Sequence, residues 1–182
     1  MRRPMIVMAA AALAAIIPAG QAQAVPITHN VAVAANEIKT WEGTAAVGLN
    51  VNYNGVTDPD TARTCTDDIE TKCEYALVAL TNPVPEEDPD GRLTKSVIIT
   101  LNNFRPLDSP FTDFALAVYT TDETGSFRGD EVAFSDNSDL PDPDEQVGFS
   151  VTTTTTTPTV YYLVEVAYFY VLNSQYTGTV DF

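Results

Sequence analysis

Val160-Tyr161-Tyr162-Leu163-Val164-Glu165-Val166-Ala167-Tyr168-Phe169-Tyr170-Val171 decides how the rest of this chain is read. Valine and tyrosine dominate the run, and their branched or flat side chains fit a pleated surface better than a helix. As a strand it places Val160, Tyr162, Val164, Val166, Tyr168 and Tyr170 on one side and Tyr161, Leu163, Glu165, Ala167, Phe169 and Val171 on the other. Neither side is mainly polar. The run therefore predicts a central strand that is covered on both faces, or covered on one while its aromatics meet a ligand on the other.

Working outward, shorter stretches alternate in the same period of two. Val47, Leu49, Val51 and Tyr53 share a parity and end at Asn54-Gly55. Tyr75 to Leu80 is an apolar run of strand length, and Leu93, Val97, Ile99 and Leu101 alternate with Thr94, Ser96, Ile98 and Thr100. Phe114, Leu116 and Val118, then Glu131 to Ser135, then Val147, Phe149 and Val151, continue the pattern, and Tyr176, Gly178, Val180 and Phe182 close it. Pro89-Asp90-Gly91 and the threonine run ending at Pro158 read as turns. No stretch has helical spacing, so the expected fold is all-β: an antiparallel, jelly-roll-like β-sandwich of about eight or nine strands. Residues 38–182 form that single domain, and residues 25–37 read either as an edge strand or as a flexible lead-in.

Met1 to Ala24 has the form of an export signal. Arg2 and Arg3 supply the positive start, Ile6 to Ile17 the apolar stretch, and Ala22-Gln23-Ala24 the small-x-small cleavage site. The apolar stretch is too short for a membrane-spanning helix of roughly 20 residues, so cleavage before Val25 and an extracellular or cell-envelope location are expected. All 25 acidic residues follow Ala24 whereas Arg2 and Arg3 precede it, so cleavage takes the formal charge from −16 to −18. Such a surface repels nucleic acid and anionic lipid. Outside the cell the two cysteines, Cys65 and Cys73, are expected to pair as a disulfide around a small acidic loop.

Candidate chemistry is sparse. Asp136, Asn137, Asp139, Asp142 and Asp144 place hard oxygen ligands in one loop ahead of Glu145, which suits calcium, although the spacing is not that of an EF-hand and a solvated acidic loop is the plainer reading. His29 is the only histidine and lies close to the new N-terminus, a poor position for a serine–histidine–aspartate unit. Gly-x-Gly-x-x-Gly, phosphate-loop and paired-cysteine signatures are missing. Trp41, the single tryptophan, reads as a packing anchor or as a stacking platform for carbohydrate.

Residues 93–182 resemble the bacterial pre-peptidase C-terminal domain. The matching pieces are Asp113-Phe114-Ala115-Leu116-Ala117-Val118-Tyr119, then Ser135-Asp136-Asn137, then Glu145 ahead of Val147-Gly148-Phe149, then Tyr161-Tyr162-Leu163-Val164-Glu165-Val166, then Tyr176-Thr177-Gly178-Thr179-Val180. Ala115 stands where such modules often carry a second acidic residue, which weakens a calcium role for Asp113. The resemblance implies a jelly-roll-like accessory module without catalysis. The expectation is a secreted interaction module that binds extracellular protein or polysaccharide, with Trp41, Tyr161, Tyr168 and Tyr170 as its ligand surface. A structural envelope protein and a small secreted hydrolase are the alternatives.

Overall fold

A computed structural model describes residues 27–45, 48–49, 73–85, 90–104, 113–136, 144–171 and 174–182. These residues form ten strands: β1 (His29–Ala34), β2 (Ile38–Ala45), β3 (Gly48–Leu49), β4 (Cys73–Thr81), β5 (Arg92–Phe104), β6 (Asp113–Thr120), β7 (Glu131–Ser135), β8 (Glu145–Thr154), β9 (Thr159–Val171) and β10 (Ser174–Asp181). They make two sheets. The first runs β1-β4-β9-β6-β7 with β3 paired to the far end of β9, and the second runs β2-β10-β5-β8. In chain order β2 and β4 to β10 step from one sheet to the other at every connection except the β6–β7 hairpin. That alternation, with orders β2-β10-β5-β8 and β4-β9-β6-β7, is the jelly roll.

Residues facing between the sheets make one core. Val78, Leu80, Phe114, Leu116, Val118, Val164 and Val166 of the first sheet meet Val97, Ile99, Leu101, Val147, Val151, Tyr176 and Val180 of the second. Each set is one parity of its strand, so the alternation seen in the sequence converts directly into burial. As expected of the tyrosine- and valine-rich run, β9 is central, hydrogen-bonded to β4 on one side and β6 on the other.

One feature departs from the expected pattern. All strand pairs are antiparallel except β1–β4, which is parallel, with His29 opposite Ala76 and Ala34 opposite Thr81. The reason is connectivity: β1 turns through residues 35–37 into β2 of the other sheet, and a long excursion precedes β4, which is the kind of crossover that parallel neighbours need. The expected strand over Val47 to Tyr53 is described only at Gly48–Leu49, its other residues lying outside the described set. The corner after β1 has Asn36 at φ 67°, a left-handed geometry asparagine tolerates, and Lys95 Nζ donates to Asn36 Oδ1 at 2.8 Å.

Across the second sheet, two glycines make room for rings. Gly178 lies opposite Trp41 and Gly43 opposite Tyr176 in the β2–β10 ladder. A Cβ on Gly178 would stand 2.0 Å from Trp41 Cζ2, and one on Gly43 would stand 2.1 Å from Tyr176 Cζ. Each ring therefore lies over the backbone of the neighbouring strand, which only glycine permits.

Candidate functional site

The sandwich has two outer faces with opposite fates. On the first sheet the outward residues of β9, β4 and β6 are themselves buried: Tyr75, Ala117, Tyr119 and Leu163 pack together with Ile27, Cys73 and Phe134. Glu165 sits among them at 0% exposure, opposite Tyr75 and Ala117. A carboxylate so placed needs a cation, and Arg128 reaches in from the β6–β7 connection to donate from Nη1 to Glu165 Oε2 at 2.7 Å. The guanidinium also lies over the Tyr119 ring, 4.9 Å from its centroid. Burial, the largest single influence, works against the Arg128 charge, but Glu165 together with Tyr119 and Tyr75 offsets it and holds the pKa above its ordinary value. Burial first, then the nearby Glu165 charge, push the Tyr119 hydroxyl well above the usual phenol range. The centre of this sheet's outer face, over β4, β9 and β6, is thus closed by its own chain, while Asn30, Ala32 and Ala34 of the edge strand β1 stay exposed.

The connection that carries Arg128 is itself built. Asp122 accepts from the backbone N–H and hydroxyl of both Thr124 and Ser126, and these bonds, Ser126 first, hold its carboxyl below the usual range. Gly125 takes φ 66° beneath Ile27, where a Cβ would stand 2.8 Å from Ile27 Cδ1.

The second sheet's outer face is open. One row across its four strands reads Thr40, Thr179, Thr100, Gln146, and Gln146 Nε2 donates to Thr100 Oγ1 at 3.2 Å. The next row reads Ile38, Asp181, Ile98, Gly148, with Ile38 62% and Ile98 42% exposed. A Cβ on Gly148 would meet nothing nearer than 3.9 Å, so glycine leaves a flat spot beside Ile98 rather than relieving a clash. Towards the turn end, Ser96 faces Ser150, and Thr94 faces Thr152 with hydroxyls 2.8 Å apart. Strands about 4.8 Å apart, with same-face residues about 6.8 Å apart along each, turn these positions into a regular grid of hydroxyls. Among the described outward positions only Glu42, Arg92 and Asp181 are charged, in a chain whose formal charge is −16.

The sequence-derived candidates distribute as follows. Trp41 is 7% exposed and belongs to the core, its indole lying over Gly178. Tyr161 is half-buried on the closed outer face of the first sheet, where its carbonyl accepts from Thr121 N–H at 3.3 Å. Tyr168 and Tyr170 are in β9, but their side chains lie outside the described residues. Asp136 and Asp144 flank the acidic loop, whereas Asn137, Asp139 and Asp142 lie outside the described residues. At the loop's base Ser135 Oγ donates to the buried carboxylate of Glu145. Among the described residues there is no group of three or more metal-ligating side chains. Cys73 opens β4 and Cys65 lies outside the described residues.

His29 is not at a loose end. It opens β1 and its Nε2 lies 3.2 Å from Glu74 Oε2, an oxygen that also accepts from the Tyr176 hydroxyl across the gap between sheets. Its hydrogen-bond partner is a carboxylate of the fold. What sequence reading missed is the open face: Thr94, Ser96, Thr100, Ser150, Thr152, Thr177 and Thr179 register as the solvent side of strands, and only the ladder assembles them into rows. The available signal was that so many polar alternates were hydroxylic and so few were charged.

No family model matches the chain, and no curated protein matches it. Among solved structures, the pre-peptidase C-terminal domain of collagenase from Bacillus anthracis superposes with a TM-score of 0.42 at 10% identity, covering 84% of this chain and 95% of that one. The strand order and burial of this chain carry the fold independently of that likeness. Among the described residues no helix is long and apolar enough to cross a membrane.

Proposed function

We propose that this chain is a secreted, non-catalytic interaction module, exported by its leader, that engages extracellular polysaccharide through the outer face of the β2-β10-β5-β8 sheet. The observation that carries the reading is the contrast between the two outer faces: one buried at its centre under its own chain, the other open, hydroxylic and sparsely charged. An uncharged sugar polymer presents hydroxyl edges and apolar C–H faces, which suit the Thr40-Thr179-Thr100-Gln146 row and the exposed Ile38 and Ile98 beside it. The scarcity of charge on this face, where Glu42, Arg92 and Asp181 are the charged described positions, weakens the electrostatic reason for a highly charged partner to prefer it. A protein partner on the same face is the second member of this reading, and a glycan and peptide array separates the two.

The experiment is co-sedimentation of the purified protein with insoluble polysaccharides, cellulose and chitin among them, alongside the array. Retention on one polysaccharide at low and high salt alike is expected, because the contact is not ionic. Retention on none, with an empty array, overturns the proposal. Activity profiling of the same preparation against peptide and glycoside substrates tests the absence of catalysis.

A further inference from the structure

We infer that one ring of the polysaccharide sits in a notch at the β2–β10 end of the open face, and that Glu42 selects there a neutral sugar with adjacent hydroxyls over an acidic one. The inference rests on the polysaccharide reading and deepens it by naming the class of sugar. A cavity of about 250 Å³ is lined by two runs of three residues, Glu42 to Thr44 of β2 and Gln175 to Thr177 of β10. The ladder sets them side by side, with Glu42 opposite Thr177, Gly43 opposite Tyr176 and Thr44 opposite Gln175. Tyr176 is 1% exposed and packs its ring in the core against Gly43, so the alternate residues Glu42, Thr44, Gln175 and Thr177 turn outward. These four side chains are the corners of the notch, and the backbone of Gly43 and Tyr176 is its floor. Its volume lies below the roughly 300–1,000 Å³ of sites for drug-sized molecules, so it takes one ring of a chain.

The corner groups suit a sugar's hydroxyls. An ionised carboxylate only accepts, an amide donates and accepts, and a hydroxyl does either. A sugar O–H that donates to Glu42 therefore still accepts, and Thr177 opposite it, Asn102 next in that row and Gln175 diagonally across supply the donors. The two carboxylate oxygens take the O–H groups of neighbouring ring carbons, and hydrogen bonds to an ionised acceptor are roughly twice as strong as neutral ones. Glu42 is available for this: among the described residues no cation or donor engages it, Lys39 of the same strand being paired with Glu37 at 3.4 Å. The same lone charge, on a chain of formal charge −16, repels a uronate carboxylate brought into the notch.

The test titrates the protein with the neutral hexamers cellohexaose, mannohexaose and xylohexaose and with the acidic hexagalacturonate, following backbone amide shifts and calorimetry. At least one neutral hexamer is expected to shift the amides of residues 42–44 and 175–177, and hexagalacturonate to shift none of them. Glu42→Gln keeps the shape of the corner and removes its charge, so it is expected to weaken the neutral hexamer about tenfold and to admit hexagalacturonate. Gln175→Ala is expected to weaken the neutral hexamer without admitting the acidic one. Glu42 and Gln175 are both exposed, so the two variants are expected to melt with the parent, which separates loss of binding from loss of fold. The inference is overturned, and the polysaccharide reading kept, if the protein sediments with a polysaccharide while the notch amides stay still, or if Glu42→Gln distinguishes the hexamers as the parent does. Sedimentation with no polysaccharide overturns both.

Discussion

Replacing Arg128 with methionine removes the guanidinium that Glu165 Oε2 accepts from. Glu165 is fully buried and Arg128 Nη1 stands 2.7 Å from it, so the variant breaks a buried charge-assisted contact. Removing one partner of such a pair costs about 3–5 kcal/mol, and the low end applies because the Arg128 side chain is itself 30% exposed. For a domain of this length about 3 kcal/mol corresponds to a fall in Tm of about 6–12 °C. Losing the guanidinium favours the neutral form of the buried carboxyl relative to the parent, so the deficit of Arg128→Met is small at acid pH, where the group is protonated in both proteins, and grows towards neutrality. Glu165→Leu costs less, since Arg128 can turn to solvent, and the double variant Arg128→Met with Glu165→Leu recovers most of the loss. Urea unfolding at several pH values, read by Trp41 fluorescence, gives the double-mutant cycle. A single Arg128→Met variant within about 0.5 kcal/mol of the parent at pH 7, or strictly additive losses in the pair, refutes the reasoning.

Gly178→Ala and Gly43→Ala each force a ring off the opposing strand and are expected to cost about 2 kcal/mol or more in thermal melts, while Gly148→Ala, with open space around it, stays within about 0.5 kcal/mol. The Tyr119 hydroxyl is buried and its pKa raised, so stability is expected to hold up to the unfolded value of about 10 and to decline as pH rises above it; Tyr119→Phe should flatten that decline in an alkaline melting series. If Cys65 and Cys73 are bridged as proposed, reduction lowers stability by about 2–3 kcal/mol, and a reduced protein with an unchanged urea midpoint counts against the bridge. Calcium binding at the loop holding Asp136, Asn137, Asp139, Asp142 and Asp144 would raise Tm at millimolar Ca²⁺, whereas an unchanged Tm removes the idea and leaves the solvated acidic loop, the plainer reading.

Much of the architecture was legible because burial in a strand is written in period two. The apolar parities of β5, β6, β8 and β10 face the core as read, and of the two readings of Val160 to Val171 the central strand covered on both faces holds over residues 163–167, all of them buried. Glu165 inside that run was the one clue to Arg128, but its partner sits 37 residues earlier in a loop, and sequence spacing carries no information about which loop folds back over a sheet. The parallel β1–β4 pair was hidden for a related reason: direction and register depend on connections rather than on local residue preference. The open face was hidden because its hydroxyls come from four separate strands, each unremarkable alone. Trp41 and Gly178, 137 positions apart, meet only once β2 pairs with β10.

The central claim is that the outer face of the β2-β10-β5-β8 sheet is the contact surface. The most direct measurement compares polysaccharide retention of the parent with that of Thr100→Glu/Thr179→Glu, two adjacent positions at the middle of the row, and with Tyr161→Ala on the opposite side of the sandwich. The account expects the paired glutamates to reduce retention about tenfold or more with Tm little changed, and Tyr161→Ala to retain fully. Full retention by the glutamate variant, or loss of retention in Tyr161→Ala alone, contradicts it.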